Sequence, residues 1–251
     1  MPVWLSAGLW GLLGASSLLV GAALAYIVKL PRWATAGIMS FGCGVLISAV
    51  AYDLLEDGFQ EGGIWPIVGG AITGSIAYAL ADWLVSRNGA HHRKQSGDGE
   101  QQSAAQGGGL VIAIGSLLDG IPESIVLGLG LLAGQGVSLA MLAAIFLSNL
   151  PEGLSSALGM KAAGRSRSYI FGLWAAIVVL SALASAIGAA AFGGAPPQLV
   201  AAVNAVAAGA LLTMVVNTMI PEAVKGDQNV TGSLVVLGLL VAFSLSNLGA
   251  S

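Results

Sequence analysis

The sequence predicts an all-α polytopic membrane protein with eight transmembrane helices. Only 8% of its 251 residues are charged and 56% are apolar, whereas soluble domains carry about 25% charged residues. The apolar residues form long runs rather than the alternating segments of about ten residues that a transmembrane barrel needs. Glycine occurs 37 times, which is typical of membrane helices that pack backbone to backbone. These observations predict a single transmembrane domain over residues 1–251.

Eight apolar runs are long enough to cross the hydrocarbon core of a bilayer, which is about 30 Å thick. The predicted spans are residues 5–28, 34–56, 64–86, 109–134, 136–162, 168–193, 197–221 and 231–250. No basic region precedes the first run, so we expect it to be retained rather than cleaved as a signal peptide. Residues 88–108 are rich in Gln, Gly and Ser, and they predict a flexible loop between spans three and four.

Lysine and arginine are segregated by these eight spans. All nine fall in, or at the edge of, the loops that follow spans one, three, five and seven: Lys29, Arg32, Arg87, Arg93, Lys94, Lys161, Arg165, Arg167 and Lys225. Cytoplasmic loops are enriched in these residues. We therefore expect the loop at residues 88–108 to be cytoplasmic and both termini to lie outside the cytoplasm, in a membrane such as a bacterial inner membrane.

Several classes of function fit the composition poorly. A net charge of −3 and the lack of a basic stripe argue against a nucleic-acid partner. Cys43 stands alone, so no disulfide is available within one chain. The histidines, His91 and His92, lie in the predicted loop, where solvation is the usual interpretation and contact with a metal the alternative. No span has the HExxH helix of a zinc protease, and we expect no enzyme. The expected partner is the bilayer, and a homodimer is left open.

Two predicted spans contain a similar motif. Residues 119–123 in span four read Asp-Gly-Ile-Pro-Glu, and residues 148–152 in span five read Ser-Asn-Leu-Pro-Glu. Each is a polar pair, an aliphatic residue, a proline and a glutamate. Neighbouring spans run in opposite directions, so the pair indicates an inverted repeat, and transporters of this kind hold their substrate near the midplane. Proline removes a helical hydrogen bond, so helices four and five are predicted to be broken.

The polar residues of the two motifs share helix faces. Asp119 and Glu123 are spaced i, i+4, and Ser148 and Glu152 repeat that spacing with Asn149 beside them. If the faces meet, they gather three carboxylates, an amide and a hydroxyl. An ionised acid at the bilayer centre costs about 3 kcal/mol, and no Lys or Arg lies nearby. The counter-charge is then a proton or a bound cation; the alternative is that a single acid is protonated and bonded to a neighbouring helix.

Acidic residues also lie near the ends of spans two and seven. Asp53 and Glu56, one turn apart near the outer end of span two, are candidates for an opening that concentrates cations. Asn217 and Glu222 are candidates for lining the inner opening. In both places a solvated helix end is the alternative interpretation.

With these motifs the chain resembles the ZIP family of divalent-metal transporters over nearly its whole length. Glu123 in "DGIPES" and Glu152 in "SNLPEG" match the family's metal-holding glutamates. Pro122, Pro151 and Gly153 match its helix-breaking residues. Span two, "GVLISAVAYDLLEDG", and span seven, "GALLTMVVNTMIPEA", are also similar. The resemblance implies a transporter that moves zinc, iron, manganese or related ions toward the cytoplasm. The ion is then the substrate, and no catalytic cofactor is expected.

The chain departs from the family pattern at its polar positions. Family members usually carry His-Asn where this chain has Asp119-Gly120, and a histidine is common where Asp53 stands. The remaining ligands are oxygen atoms, which suit harder ions such as Mn²⁺ and Mg²⁺, although zinc also accepts carboxylates. Our hypothesis is one divalent cation held by Asp119, Glu123, Asn149 and Glu152, with Ser148 marginal. A non-transporting metal sensor and a proton-coupled carrier of an organic cation are the alternatives.

Restoring a histidine tests this oxygen-only ligand set. Asp119→His should shift the ion selectivity toward zinc, because imidazole suits zinc better than it suits Mn²⁺ or Mg²⁺. Competition between Zn²⁺ and Mn²⁺ in an uptake or binding assay measures the change. Unchanged selectivity would count against the hypothesis.

Overall fold

The computed structural model of the protein describes residues 1–28, 31–85, 87, 108–132, 138–226 and 229–248, and in them it contains helices and no strands. The α-helices are α1 (Val3–Ile27), α2 (Arg32–Ala49), α3 (Asp57–Gly62), α4 (Ile64–Val85), α5 (Gly108–Gly130), α6 (Leu139–Ala162), α7 (Arg167–Phe192), α8 (Pro197–Met214), α9 (Ile220–Gly226) and α10 (Thr231–Leu248). Two π-helical segments, Val50–Glu56 and Val215–Met219, join α2 to α3 and α8 to α9. Of the predicted loop at 88–108, residues 88–107, with both histidines, lie outside the described residues.

Six helical segments are long and apolar enough to cross a membrane. They are Val3–Ile27, Trp33–Gly62, Ile64–Val85, Leu139–Ala162, Arg167–Phe192 and Pro197–Gly226. Thr231–Ser246 is a shorter apolar helix, and α5, with 23 residues, is not among the six. The prediction of an all-helical multi-pass membrane protein is therefore confirmed, whereas the count of eight spans stays a prediction.

Two helical segments extend beyond their predicted ends. Span two was expected to end at residue 56 and span seven at residue 221, but the helices continue to Gly62 and Gly226. The apolar pattern shows only the part of a helix that lies in lipid, and a polar end can remain helical in water. In span two, Gln60 donates a hydrogen bond to Glu56 at 2.8 Å, and Gly63, with φ of 77°, ends the helix.

The structure does not show the predicted breaks at the motif prolines. Pro122 lies inside α5 and Pro151 inside α6. A proline removes one backbone hydrogen bond, and membrane helices tolerate that loss when neighbouring groups compensate. The irregular backbone lies instead in the two π-helical segments of spans two and seven. Such segments are frequent at functional sites, and no proline or glycine lies inside either of them.

The helices pack as two groups. Bundle A consists of α1, α5, α6 and α7, and bundle B consists of α2, α3, α4, α8, α9 and α10 with both π-helical segments. Glycines bring backbones together inside each bundle. A Cβ atom added at Gly21 of α1 would lie 2.2 Å from the Leu150 oxygen of α6, and one at Gly74 of α4 would lie 1.8 Å from the Val206 oxygen of α8. Small residues at these places allow close helix pairing.

The contact between the bundles is formed mainly by side chains. Helix α2 packs on α6, and α5 packs on α8, around a shared apolar core that includes Leu46, Leu127, Ile145 and Met214. At Gly42 of α2, an added Cβ would lie 3.4 Å from the Leu147 oxygen of α6, which is an ordinary van der Waals distance. At Gly42 the two bundles therefore lie farther apart than the paired backbones at Gly21 and Gly74 inside the bundles.

Two neighbouring glycines of α4 test the packing inside bundle B. Gly74→Ala should lower the thermal unfolding midpoint in detergent, because its Cβ would meet the Val206 carbonyl, and overpacking typically costs 1–3 kcal/mol. Gly69→Ala is the control: an added Cβ there meets nothing within 4 Å, and alanine favours an open helix position by up to about 1 kcal/mol. Equal midpoints for the two variants would contradict this packing.

Candidate metal centre

The polar residues of the two motifs lie on facing helices inside bundle A, and all are buried. Ser116, Asp119 and Glu123 follow one face of α5 at i, i+3 and i+7. Helix α6 supplies Ser148, Asn149 and Glu152. The exposed fractions of the acids are 1% for Asp119, 2% for Glu123 and 3% for Glu152. Buried acids of this kind need partners, because an unsatisfied charge is strongly unfavourable away from water.

Glu123 is held by the polar pair of the opposite motif. The Asn149 amide nitrogen donates to Oε2 at 3.1 Å. The Ser148 hydroxyl lies 3.1 Å from Oε1 and 3.0 Å from the Ile145 carbonyl oxygen of its own helix, so its single proton has these two acceptors within reach. The structure brings these three predicted residues together, as expected if the two motif faces meet.

Glu152 has a partner that the sequence did not single out. The Ser116 hydroxyl donates to Glu152 Oε1 at 2.6 Å. Ser116 lies one turn before Asp119 on the same face of α5, so extending the i, i+3 pattern backwards would have found it. Helices α5 and α6 are therefore joined by hydrogen bonds at both motif glutamates.

Asp119 is held from the other bundle. The hydroxyl of Tyr78, which is 3% exposed on α4, donates to Asp119 Oδ1 at 2.5 Å. Span three was assigned no part in the site. A single tyrosine in an apolar span is usually a packing residue, and only the folded arrangement shows that this one meets an acid.

The hydrogen bonds named above join the three acids to different side chains. Across the described ranges, no three side chains of His, Cys, Asp or Glu are grouped closely enough to hold a metal ion. Like charges brought together in a buried place destabilise one another, whereas a hydroxyl or amide donor stabilises each carboxylate separately. The four-ligand cation site remains a prediction.

The partners of these carboxylates can change their role. Serine and tyrosine hydroxyls donate and accept hydrogen bonds, and an asparagine amide offers both an oxygen and an NH₂ group. Here all four side chains donate to a carboxylate. If each hydroxyl or amide group rotated, it would present an oxygen lone pair to a cation. The same four residues can therefore surround the carboxylates with or without a bound cation.

The two acids proposed for the outer opening have different environments. Asp53, in the first π-helical segment, is half-buried and accepts hydrogen bonds from Ser138, at the start of α6, and from Ser246 of α10. Glu56 is exposed and is bonded to Gln60 of its own helix. Asp53 therefore connects helices of both bundles, whereas Glu56 fits the alternative of a solvated helix end.

The residues proposed for the inner opening also differ. Asn217 is exposed in the second π-helical segment. Glu222 of α9 is only 7% exposed, and its Oε2 lies 3.9 Å from Nζ of the exposed Lys225. The described contacts do not join Asn217 and Glu222 in one path, and the burial of Glu222 does not fit a freely solvated helix end.

A cavity of about 320 Å³ lies beside the motif of α5. It is bounded by α4, α5 and α8, and Tyr78, Ile121, Pro122 and Val206 are among its lining residues. Apolar walls do not supply the oxygen ligands that a cation needs. The cavity instead leaves free space next to the turn that carries Pro122, at the contact between the bundles.

The sequence was compared with family models and with curated proteins. No protein-family model matches the chain. Over 82% of its length the chain is 28% identical to a protein of Arabidopsis thaliana named "putative zinc transporter". The chain spans about a third of the length of that relative, 32%. The relative's name specifies zinc, a divalent cation that carboxylates bind.

Proposed function

We propose that the protein is a ZIP-like membrane transporter that moves a divalent metal cation, such as zinc, iron or manganese, toward the cytoplasm. The observation that carries this proposal is Glu123, a 2% exposed carboxylate held by Ser148 and Asn149 of the second motif helix. Acids inside membrane helices are rare, and they mark ion and substrate pathways. The similarity to a protein named for zinc transport supports the class of substrate.

The proposed ligands come from α5 and α6. Glu123 and Glu152 supply negative charge, Asn149 supplies its amide oxygen, and Ser148 its hydroxyl. Asp119 completes the set once its carboxylate turns toward α6. Oxygen ligands favour harder ions, and zinc is also compatible with carboxylates. The metal ion is the substrate in this proposal, and no enzymatic reaction or catalytic cofactor is involved.

The arriving cation replaces the hydrogen-bond donors of the site. The charge of the divalent cation takes the place of the partial positive charges on the hydroxyl and amide hydrogens. The hydroxyl and amide groups then rotate, so that their oxygen atoms accept hydrogen bonds or coordinate the cation. Asp53, at the contact between the bundles, is the proposed outer residue of the path, and Glu222, beside Lys225, the proposed inner one. The segregation of Lys and Arg supports this orientation, with both termini outside the cytoplasm of a bacterial inner-membrane protein.

Movement of bundle A against bundle B would expose the site to the two sides in turn. The close backbone contacts at glycines within each bundle support the proposal that each bundle moves as a rigid unit. The longer distance at Gly42 supports the proposal that the bundles slide or rock against each other there. Transporters built from two bundles commonly work by such alternating access. Because the proposed ligands all lie in bundle A, the cation would travel with one rigid unit.

A second candidate is a proton-coupled carrier of an organic cation. The lack of a metal-holding group of three acids in the described residues favours it, since proton exchange does not require the acids to share an ion. A non-transporting metal sensor is the third candidate. Binding and uptake, measured separately, distinguish all three.

Uptake into liposomes tests the proposed site. The purified full chain should take up Zn²⁺, Mn²⁺ or Fe²⁺ with saturation, and Glu123→Ala or Glu152→Ala should reduce uptake by roughly tenfold or more, because disturbing even the supporting shell of a metal ligand costs 10–100-fold in affinity. Glu61→Ala is the matched control, since Glu61 is exposed at the end of α3 and uptake should stay close to wild type.

Normal uptake in both motif variants would contradict the site assignment. A wild-type protein that takes up no metal, yet gains thermal stability when metal is added, would indicate the sensor. Neither uptake nor stabilisation by metal would indicate the organic-cation carrier.

A further inference from the structure

Tyr78 joins the two bundles at one of the proposed ligands. It lies on α4, which Gly74 and Gly209 bring into backbone contact with α8, so its position is fixed within bundle B. Its hydroxyl donates to Asp119 Oδ1 at 2.5 Å. Asp119 lies on α5 of bundle A, so this hydrogen bond crosses the contact between the bundles.

The hydrogen bonds described above at the other two acids stay inside bundle A. Ser116 of α5 donates to Glu152 of α6, and Ser148 and Asn149 of α6 donate to Glu123 of α5. These bonds can persist while bundle A moves as a unit. The bond from Tyr78 to Asp119 must break when the bundles separate or slide.

The geometry of this bond makes it a competitor of the cation. A hydroxyl that donates to an ionised carboxylate forms a charge-assisted hydrogen bond, which is about twice as strong as a neutral one. It directs one oxygen of Asp119 toward α4, whereas Glu123 is bonded to the side chains of α6. In the arrangement that the described residues show, the three acids do not form a group able to hold a metal.

We infer that Tyr78 is a positioning residue that holds Asp119 away from the cation ligands of α6 in one arrangement of the bundles and releases it in the other. The inference rests on the proposed function. A cation that coordinates Asp119 Oδ1 must displace the Tyr78 hydroxyl from that oxygen. Cation binding at Oδ1 and the cross-bundle hydrogen bond therefore oppose each other by the same free energy. Metal binding is thereby coupled to movement of the bundles.

Removing only the hydroxyl tests this role. Tyr78→Phe keeps the ring that lines the apolar cavity. Tyr26→Phe is the matched control: the Tyr26 hydroxyl is buried and has no hydrogen-bond partner in the described part of the chain, and its ring, stacked on Phe171 and contacted by Lys161 and Arg167, is retained.

Equilibrium binding of Zn²⁺ and Mn²⁺ to the purified full chain in detergent, and uptake by the same protein in liposomes, are the two readouts. In Tyr78→Phe we expect the dissociation constant to fall about tenfold, the factor expected for losing a competing hydrogen bond to a charged group. We expect the maximal uptake rate to fall as well. Without the hydroxyl, cation binding no longer breaks a hydrogen bond between the bundles, so it no longer promotes their movement. Tyr26→Phe should change neither quantity.

The Asp119→Ala background separates positioning from a merely structural role, because alanine offers no acceptor to the Tyr78 hydroxyl. If Tyr78 acts through Asp119, Tyr78→Phe should leave the dissociation constant unchanged once Asp119 is already Ala, so the two effects are not additive. The same tenfold change in both backgrounds would overturn the inference. So would a Tyr78→Phe protein that binds metal as wild type does, or more weakly.

A measurement on the unmodified protein keeps the test independent of how Tyr78→Phe folds. Adding Zn²⁺ should shift a tyrosine C–O band in the infrared difference spectrum, and the shift should persist in Tyr26→Phe. Metal binding with no tyrosine shift would overturn the inference while the proposed function stands. A wild-type protein that neither binds nor takes up metal would instead remove the proposed function, and this inference with it.

Discussion

The need to satisfy buried carboxylates constrains the rest of this structure. Asp119, Glu123 and Glu152 are nearly inaccessible inside a protein whose surface faces lipid, and burying a charge without partners is strongly unfavourable. Helices α4, α5 and α6 each provide hydroxyl or amide donors to them. Those donors are all groups that can reverse their hydrogen-bonding role, so the same contacts that stabilise the acids can give way to a cation. An apolar core would be simpler to fold but could not exchange partners in this way.

Glycines make close backbone contacts inside each bundle, whereas the two bundles meet through larger side chains. Inside bundle A, Gly21 and Gly153 place α1 and α6 backbone to backbone, and Gly74 and Gly209 do the same for α4 and α8 in bundle B. Between the bundles the contact consists of larger side chains and a few hydrogen bonds to acids. In the proposed transport cycle, this side-chain surface is where the bundles move against each other, and the acids that lie there would make that movement depend on charge.

Much of this arrangement follows from the sequence, and the rest depends on distances between helices. Apolar runs predict the helices, and i, i+4 spacing predicts that Asp119 and Glu123 share one helix face and Ser148 and Glu152 another. Tyr78 could not be predicted, because its role depends on how α4 packs on α5, which no local pattern specifies. The continuity of α5 and α6 through their prolines, and the π-helical segments Val50–Glu56 and Val215–Met219, likewise depend on tertiary contacts that outweigh local preference.

X-ray absorption spectroscopy of Zn²⁺ bound to the purified protein tests the central claim most directly, because it reads the atoms that surround the metal. The sequence contains two histidines, His91 and His92, and one cysteine, all outside the proposed ligand set. We predict oxygen neighbours at about 2.0–2.2 Å, no imidazole or thiolate contribution, and loss of the bound metal in Glu123→Ala. An imidazole pattern, or zinc neighbours that are the same in Glu123→Ala, would contradict a metal centre built from the buried carboxylates.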